Sequence, residues 1–179
     1  MPVSQPLRPH PALPAPAGLT LTVDCVLGAA GIELCYRYHG DPAALRLPAP
    51  QVAGPADDLW RHTCCEAFVA GAASPGYREF NFSPAGQWAA YRFAAYRQRD
   101  TSEPPPAALP PIRFSRRADG FDLRATIPDE LLPAGPLHLG LCAVIARADG
   151  GMDYWALAHG GERPDFHLRP SFTLQLSRP

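Results

Sequence analysis

The strongest constraint on this chain is a period-two pattern that never gives way to a helical one. Residues 32–39 show it most cleanly. Ile32, Leu34, Tyr36 and Tyr38 fall on one face of an extended chain, and Glu33, Cys35, Arg37 and His39 on the other. Residues 19–27 are rich in β-branched side chains. Ala118-Asp119-Gly120 lies between alternating runs at 112–117 and 121–127, which is a hairpin signal. Further runs occupy 62–70, 77–83, 88–96, 137–145, 152–157 and 172–176, divided by glycine, proline and Asp-Gly turns. No amphipathic helix stands out, and only Pro-Asp-Glu-Leu-Leu at 128–132 looks like a short helical turn at a sheet corner. Closely spaced strands with turn residues between them predict an all-β fold. The expected form is an antiparallel β-sandwich of nine to ten strands with at most short helical turns, and a closed barrel is the alternative.

The 179 residues suit one domain with a core of its own. Residues 1–18 are crowded with proline, which removes backbone donors, so they read as a flexible tail. Residues 19–179 then form the single folded domain. No internal repeat is visible.

Composition excludes several function classes. The formal net charge is −1, so no basic field is available for a nucleic-acid backbone. All sixteen cationic side chains are arginine, and without lysine no Schiff base can form. The five cysteines lie in apolar runs with no Cys-x-x-Cys pair, and read as small buried hydrophobes in a reducing compartment. No stretch has the apolar length of a membrane span or the make-up of a signal peptide. The expected protein is therefore soluble and cytoplasmic, with no nucleic-acid or membrane partner.

The chemistry concentrates in residues 59–96. Alternation puts Glu66 and Phe68 on one face of their strand. On the next strand Phe80 and Phe82 are the core face, which turns Glu79 and Asn81 the other way. On the third, Tyr91 and Phe93 are expected inward, with Trp88 and Arg92 opposite. Glu79, Asn81, Trp88 and Arg92 would then share a surface suited to a sugar, since indole rings stack on sugar rings while amide, carboxylate and guanidinium reach hydroxyls. Trp60, Trp88 and Trp155 have core packing as the alternative. Glu66 and Glu79 fall on neighbouring strands if 71–75 is a hairpin turn. They would then pair with Arg78 and Arg92, ligate calcium, or serve as the two carboxyls of a glycoside hydrolase. The loop after Trp155, with His159, Asp165 and His167, matches no zinc spacing and reads as a hydrogen-bonded loop. Haem ligation through Met152 and a histidine is a further alternative.

Three segments together, LWRHTCCEAFV, YREFNFSPAGQWAAYRF and GLCAVIARADGGMDYWALAHGGERPDFH, resemble the bacterial DOMON-like proteins. These are relatives of the dopamine β-monooxygenase N-terminal type of domain and of family 9 carbohydrate-binding modules. The resemblance spans residues 19–176. It implies a jelly-roll sandwich and a module that binds sugars or haem without catalysis. Glu66, Glu79, Phe80, Asn81 and Trp88 fall on the family's recurring pattern, as do Trp155, His159, Asp165 and His167. The axial Met and His of haem-binding members have no recognisable counterpart here. The expected function is thus non-catalytic binding of a carbohydrate or sugar nucleotide. A haem or redox module, a glycoside hydrolase and a pure protein-interaction domain follow as alternatives. No catalytic residue, metal ligand or resident cofactor is assigned, with haem and calcium left open. The expected ligand contacts are Trp60, Glu79, Asn81, Trp88 and Arg92, joined by Trp155, His159 and His167.

Overall fold

The computed structural model describes residues 3–177. Among the described residues thirteen strands make one curled sheet. In chain order they are β1 (Val3–Pro9), β2 (Thr20–Gly28), β3 (Gly31–His39), β4 (Gly54–Pro55), β5 (Cys64–Gly71), β6 (Tyr77–Phe82), β7 (Gln87–Ala95), β8 (Gln98–Arg99), β9 (Arg113–Arg117), β10 (Gly120–Pro128), β11 (Leu137–Ala146), β12 (Met152–Ala156) and β13 (Leu174–Leu176). Helical structure among the described residues is confined to 3-10 turns, one of them Asp129–Leu131 within the expected 128–132 turn. None is long and apolar enough to cross a membrane.

Spatial order across the sheet is β4-β7-β6-β5-β11-β12-β1-β2-β3-β10-β9, with β13 beside β11 and β8 beside β7. The all-β expectation holds. Two details differ. The strands number thirteen rather than nine to ten, and the sheet is continuous and mixed, with β4 running parallel to β7, rather than a clear antiparallel sandwich of jelly-roll type. The extra strands are β1, β4 and β8. β4 and β8 have only two residues each, too short for alternation to register.

β1 is the more instructive difference, because it occupies the segment expected to be a flexible tail. Val3–Leu7 pair with β2, and Arg8–Pro9 then pair with β12. At each residue β1 has a partner on one side only. A proline without an N–H is tolerated in a strand of that kind. Leu7 is buried on one side of the strand, and His10, just beyond it, is buried against the 158–171 loop. β1 therefore joins the two halves of the sheet.

The curl faces those halves toward each other across one core. β2, β3 and β10 contribute Leu21, Val23, Leu34, Tyr36, Phe121 and Leu123; β5, β6 and β11 contribute Ala67, Phe80, Phe82, Leu139 and Leu141. Burial of each large apolar side chain contributes roughly 1.5–3 kcal/mol. The hydroxyl of Tyr36, fully buried, donates to the Glu66 carbonyl at 2.7 Å and ties one half to the other. The Asp-Gly hairpin joins β9 to β10 as expected, with Gly120 opposite Arg117. Gly120 is required there: its φ is +148°, and a Cβ would stand 2.0 Å from the Tyr38 carbonyl oxygen.

Candidate functional site

Register decides what the outer face of the β5–β6–β7 unit carries. Glu66 lies opposite Asn81, and Phe68 opposite Glu79. Glu79 lies opposite Tyr91, and Tyr77 opposite Phe93. Directly opposed residues point to the same face. Glu66, Phe68, Tyr77, Glu79, Asn81, Tyr91 and Phe93 therefore share the outer face, and Phe80, Phe82 and Trp88 the inner one. This reverses the expectation for β7. Its apolar residues fall on both faces, Trp88 and Ala90 on one and Tyr91 and Phe93 on the other, so hydrophobicity does not set its parity. The Ser83–Gly86 turn does, by placing Trp88 opposite Phe82.

Over this face lies a cleft of about 900 Å³. Glu66, Phe68, Glu79 and Phe93 line its base. Trp60 with Asp57 and Asp58 forms one wall, Arg97 and Arg99 another. The stretch from Arg163 to His167 supplies a third, and Leu13 and Tyr154 complete the rim. Local structure explains these positions. Leu59 is buried against Cys64 and Ala89, which leaves its neighbour Trp60 pointing outward at 48 % exposure. Arg97 takes a left-handed conformation (φ 53°), folding β8 back along β7. Phe172 packs on Phe68 and Tyr77, seating the end of the loop that carries His167.

The base of the cleft is acidic and buried. Glu66 is only 3 % exposed, its side chain has no hydrogen-bond partner, and Oε1 is fully enclosed. Burial, reinforced by the nearby Glu79 charge, pushes its carboxyl well above the usual carboxylate range. Glu79 is also raised by burial, offset in part by the bond from Asn81 and by the charges of Arg99 and Arg97. Its Oε1 accepts from Asn81 Nδ2 at 2.8 Å, and its Oε2 lies 3.7 Å from His167 Nε2. Burial, with Arg97 nearby, lowers His167 to about 4. Its Nδ1 lies within hydrogen-bond distance of the Tyr77 hydroxyl, at 2.8 Å, and that hydroxyl also accepts from the Arg97 backbone N–H at 3.1 Å. The ring stands edge-on to Phe68 and Phe93 at 5.1 and 5.0 Å.

The rim is closed by its own pairs. Asp165 accepts from Tyr96 at 2.6 Å and from Arg97 at 3.0 Å. Partial burial opposes its ionisation, but those two bonds hold its carboxyl below the usual value. Tyr91 donates to Asp57 at 2.6 Å, and the Arg99 guanidinium lies 3.7 Å over the Tyr91 ring. Among the described residues no group of three His, Cys, Asp or Glu side chains is placed to hold a metal ion.

The expected contact residues are thus divided. Trp60, Glu79 and His167 come together in the cleft, and Asn81 lies buried beside Glu79. Trp88 and Trp155 are core residues at 4 % and 3 % exposure, although Trp88 also edges a second cleft of about 670 Å³ beside β7, which shares Asp57, Tyr91 and Arg99 with the first. Arg92 lines that second cleft and pairs with Asp100 at 3.1 Å and with Glu103. His159 bonds the Arg8 carbonyl at 2.9 Å and ties the loop to β1. Glu66 and Glu79 lie on paired strands, as the hairpin argument required, but no arginine bonds to either. Tyr91, Phe93, Arg97 and Arg99 were absent from the expected contacts. Parity concealed the first two, and no motif marks the others.

No family model and no curated protein matches the chain. Among solved structures it is similar to a protein of Bacteroides uniformis ATCC 8492 provisionally assigned as carbohydrate-binding, with a TM-score of 0.67 and 18 % identity. The match covers 98 % of this chain and 85 % of that one, and the likeness is one of fold. Fold and cleft together define an all-β protein with an acidic, aromatic-walled recess on one sheet face.

Proposed function

We propose that this chain binds a small carbohydrate, free or as a sugar nucleotide, in the cleft over β5, β6 and β7. The observation that carries this reading is the pairing of Trp60, half-exposed at the mouth, with the buried carboxyls of Glu66 and Glu79 at the base. An exposed indole offers a flat apolar face for a sugar ring. Recessed acceptors meet its hydroxyls. The resemblance to DOMON-like domains and family 9 carbohydrate-binding modules supports the same reading, as does the fold shared with the Bacteroides protein.

The test is a thermal-shift screen with mono- and disaccharides and sugar nucleotides, followed by calorimetry on the hits. A ligand that binds only the folded chain raises its melting temperature by mass action. Trp60→Ala should weaken binding by about tenfold or more while leaving the melting temperature of the free protein unchanged. Absence of any sugar-induced shift, or full affinity in Trp60→Ala, refutes the proposal.

A further inference from the structure

Resting on the sugar-binding reading, we infer that the base of the cleft receives a protonated amine, so that the preferred ligand is an amino sugar rather than a neutral one.

Glu66 and Glu79 are short of hydrogen-bond donors and of positive charge. With both carboxyls ionised, every open valence on them is an acceptor. Glu66 has no side-chain partner, and its Oε1 is buried; Asn81 Oδ1 is buried and unpartnered as well. The one amide donor nearby, Asn81 Nδ2, is already bonded to Glu79 Oε1. Glu79 Oε2 is 3.7 Å from His167 Nε2, beyond hydrogen-bond range. A hydroxyl brings one donor and two further lone pairs to such a place. An ammonium brings three donors and no lone pair.

Charge points the same way. Glu66 and Glu79, on adjacent strands, would repel each other if both ionised, and no cation of the protein hydrogen-bonds to either, Arg99 and Arg97 acting on Glu79 only from a distance. Arg97 is held by Asp165, and Arg99 lies over Tyr91. His167 is neutral, with Nδ1 bonded to Tyr77. Two buried carboxylates cannot both ionise without a positive charge between them. The walls suit a cation too, because Phe68 and Phe93 line the cleft beside the acids. A metal ion is the poorer occupant, since among the described residues no third His, Cys, Asp or Glu side chain is placed to join the pair around an ion.

The experiment measures binding of glucosamine, glucose, N-acetylglucosamine and benzylamine by calorimetry in slightly acidic buffer, where the free amines are protonated. Glucosamine should bind about tenfold or more tighter than glucose, and N-acetylation, which removes the charge, should abolish that advantage. Glu66→Gln keeps shape and removes the group that ionises against the amine, so it should equalise glucosamine and glucose; its thermal melt confirms folding. If glucose matches glucosamine, or N-acetylglucosamine matches it, the amine inference is overturned while sugar binding stands. Glucosamine preference that survives in folded Glu66→Gln also overturns it. Benzylamine bound through Glu66, with no sugar bound, keeps the amine site and overturns the carbohydrate reading. No amine bound at all overturns the inference.

Discussion

Glu66→Gln should stabilise the free protein, and by an amount that grows with pH. Glu66 is 3 % exposed and has no side-chain hydrogen bond, so its carboxyl is raised first by burial and then by Glu79. In the unfolded chain it titrates near the ordinary value of 4.5. Between that value and the higher folded one, the unfolded state has lost its proton and the folded state retains it. Stability therefore falls as pH rises through this window, by at most about 1.4 kcal/mol per pH unit. Glutamine has no proton to lose and escapes the penalty. The two proteins should melt alike near pH 4.5, and Glu66→Gln should gain about 2–4 °C for each kcal/mol as pH increases. His167 acts in the opposite sense. Its value is lowered to about 4, so it contributes stability that is lost as pH falls from the ordinary 6.5 toward 4. It is present in both proteins and cancels from their difference. The assay is paired thermal or urea unfolding from acid to neutral pH. A difference independent of pH, or a variant that loses ground as pH rises, would refute the buried, unpaired carboxyl.

Three further outcomes follow from the same geometry. Tyr36→Phe should cost about 1–2 kcal/mol, because it removes the buried bond to the Glu66 carbonyl; an unchanged urea midpoint would mean that bond is not formed. Deletion of residues 3–9 should cost at least about 2 kcal/mol through Leu7 alone and leave the edges of β2 and β12 open to aggregation. A truncated protein that melts and stays monomeric like the parent would restore the flexible-tail reading. Gly120→Ala should cost more than about 2 kcal/mol, since the new Cβ would sit 2.0 Å from the Tyr38 oxygen, and a melt equal to the parent's would place the hairpin elsewhere.

Alternation made strands such as β3 and β10 legible because one face lies in the core and the other is more exposed. β1 was hidden by its prolines. The rule that excludes proline from strands applies to a strand paired on both sides, and β1 never is. In the candidate site, β5 and β6 could be sorted by face, so Glu66 and Glu79 fell correctly on adjacent strands. β7 could not, because both of its faces meet apolar surroundings, and the inverted parity moved Trp88 and Arg92 away from the cleft. Trp60 and His167 lie in turn and loop, where no periodicity exists. Their residue types, rather than any pattern, made them candidates. The rim arginines depend on a left-handed turn at Arg97 that only the backbone reveals.

The role of β1 as joint has a consequence for how the molecule is made. Hairpins such as β2–β3 and β6–β7 can close from neighbouring sequence, but Arg8 must find Ala156. The curl therefore stays open until β12 exists, and such distant pairings lengthen folding toward milliseconds or seconds. During that interval one early strand waits with an unfilled flank, and the chain is most vulnerable to a neighbour that would fill it instead.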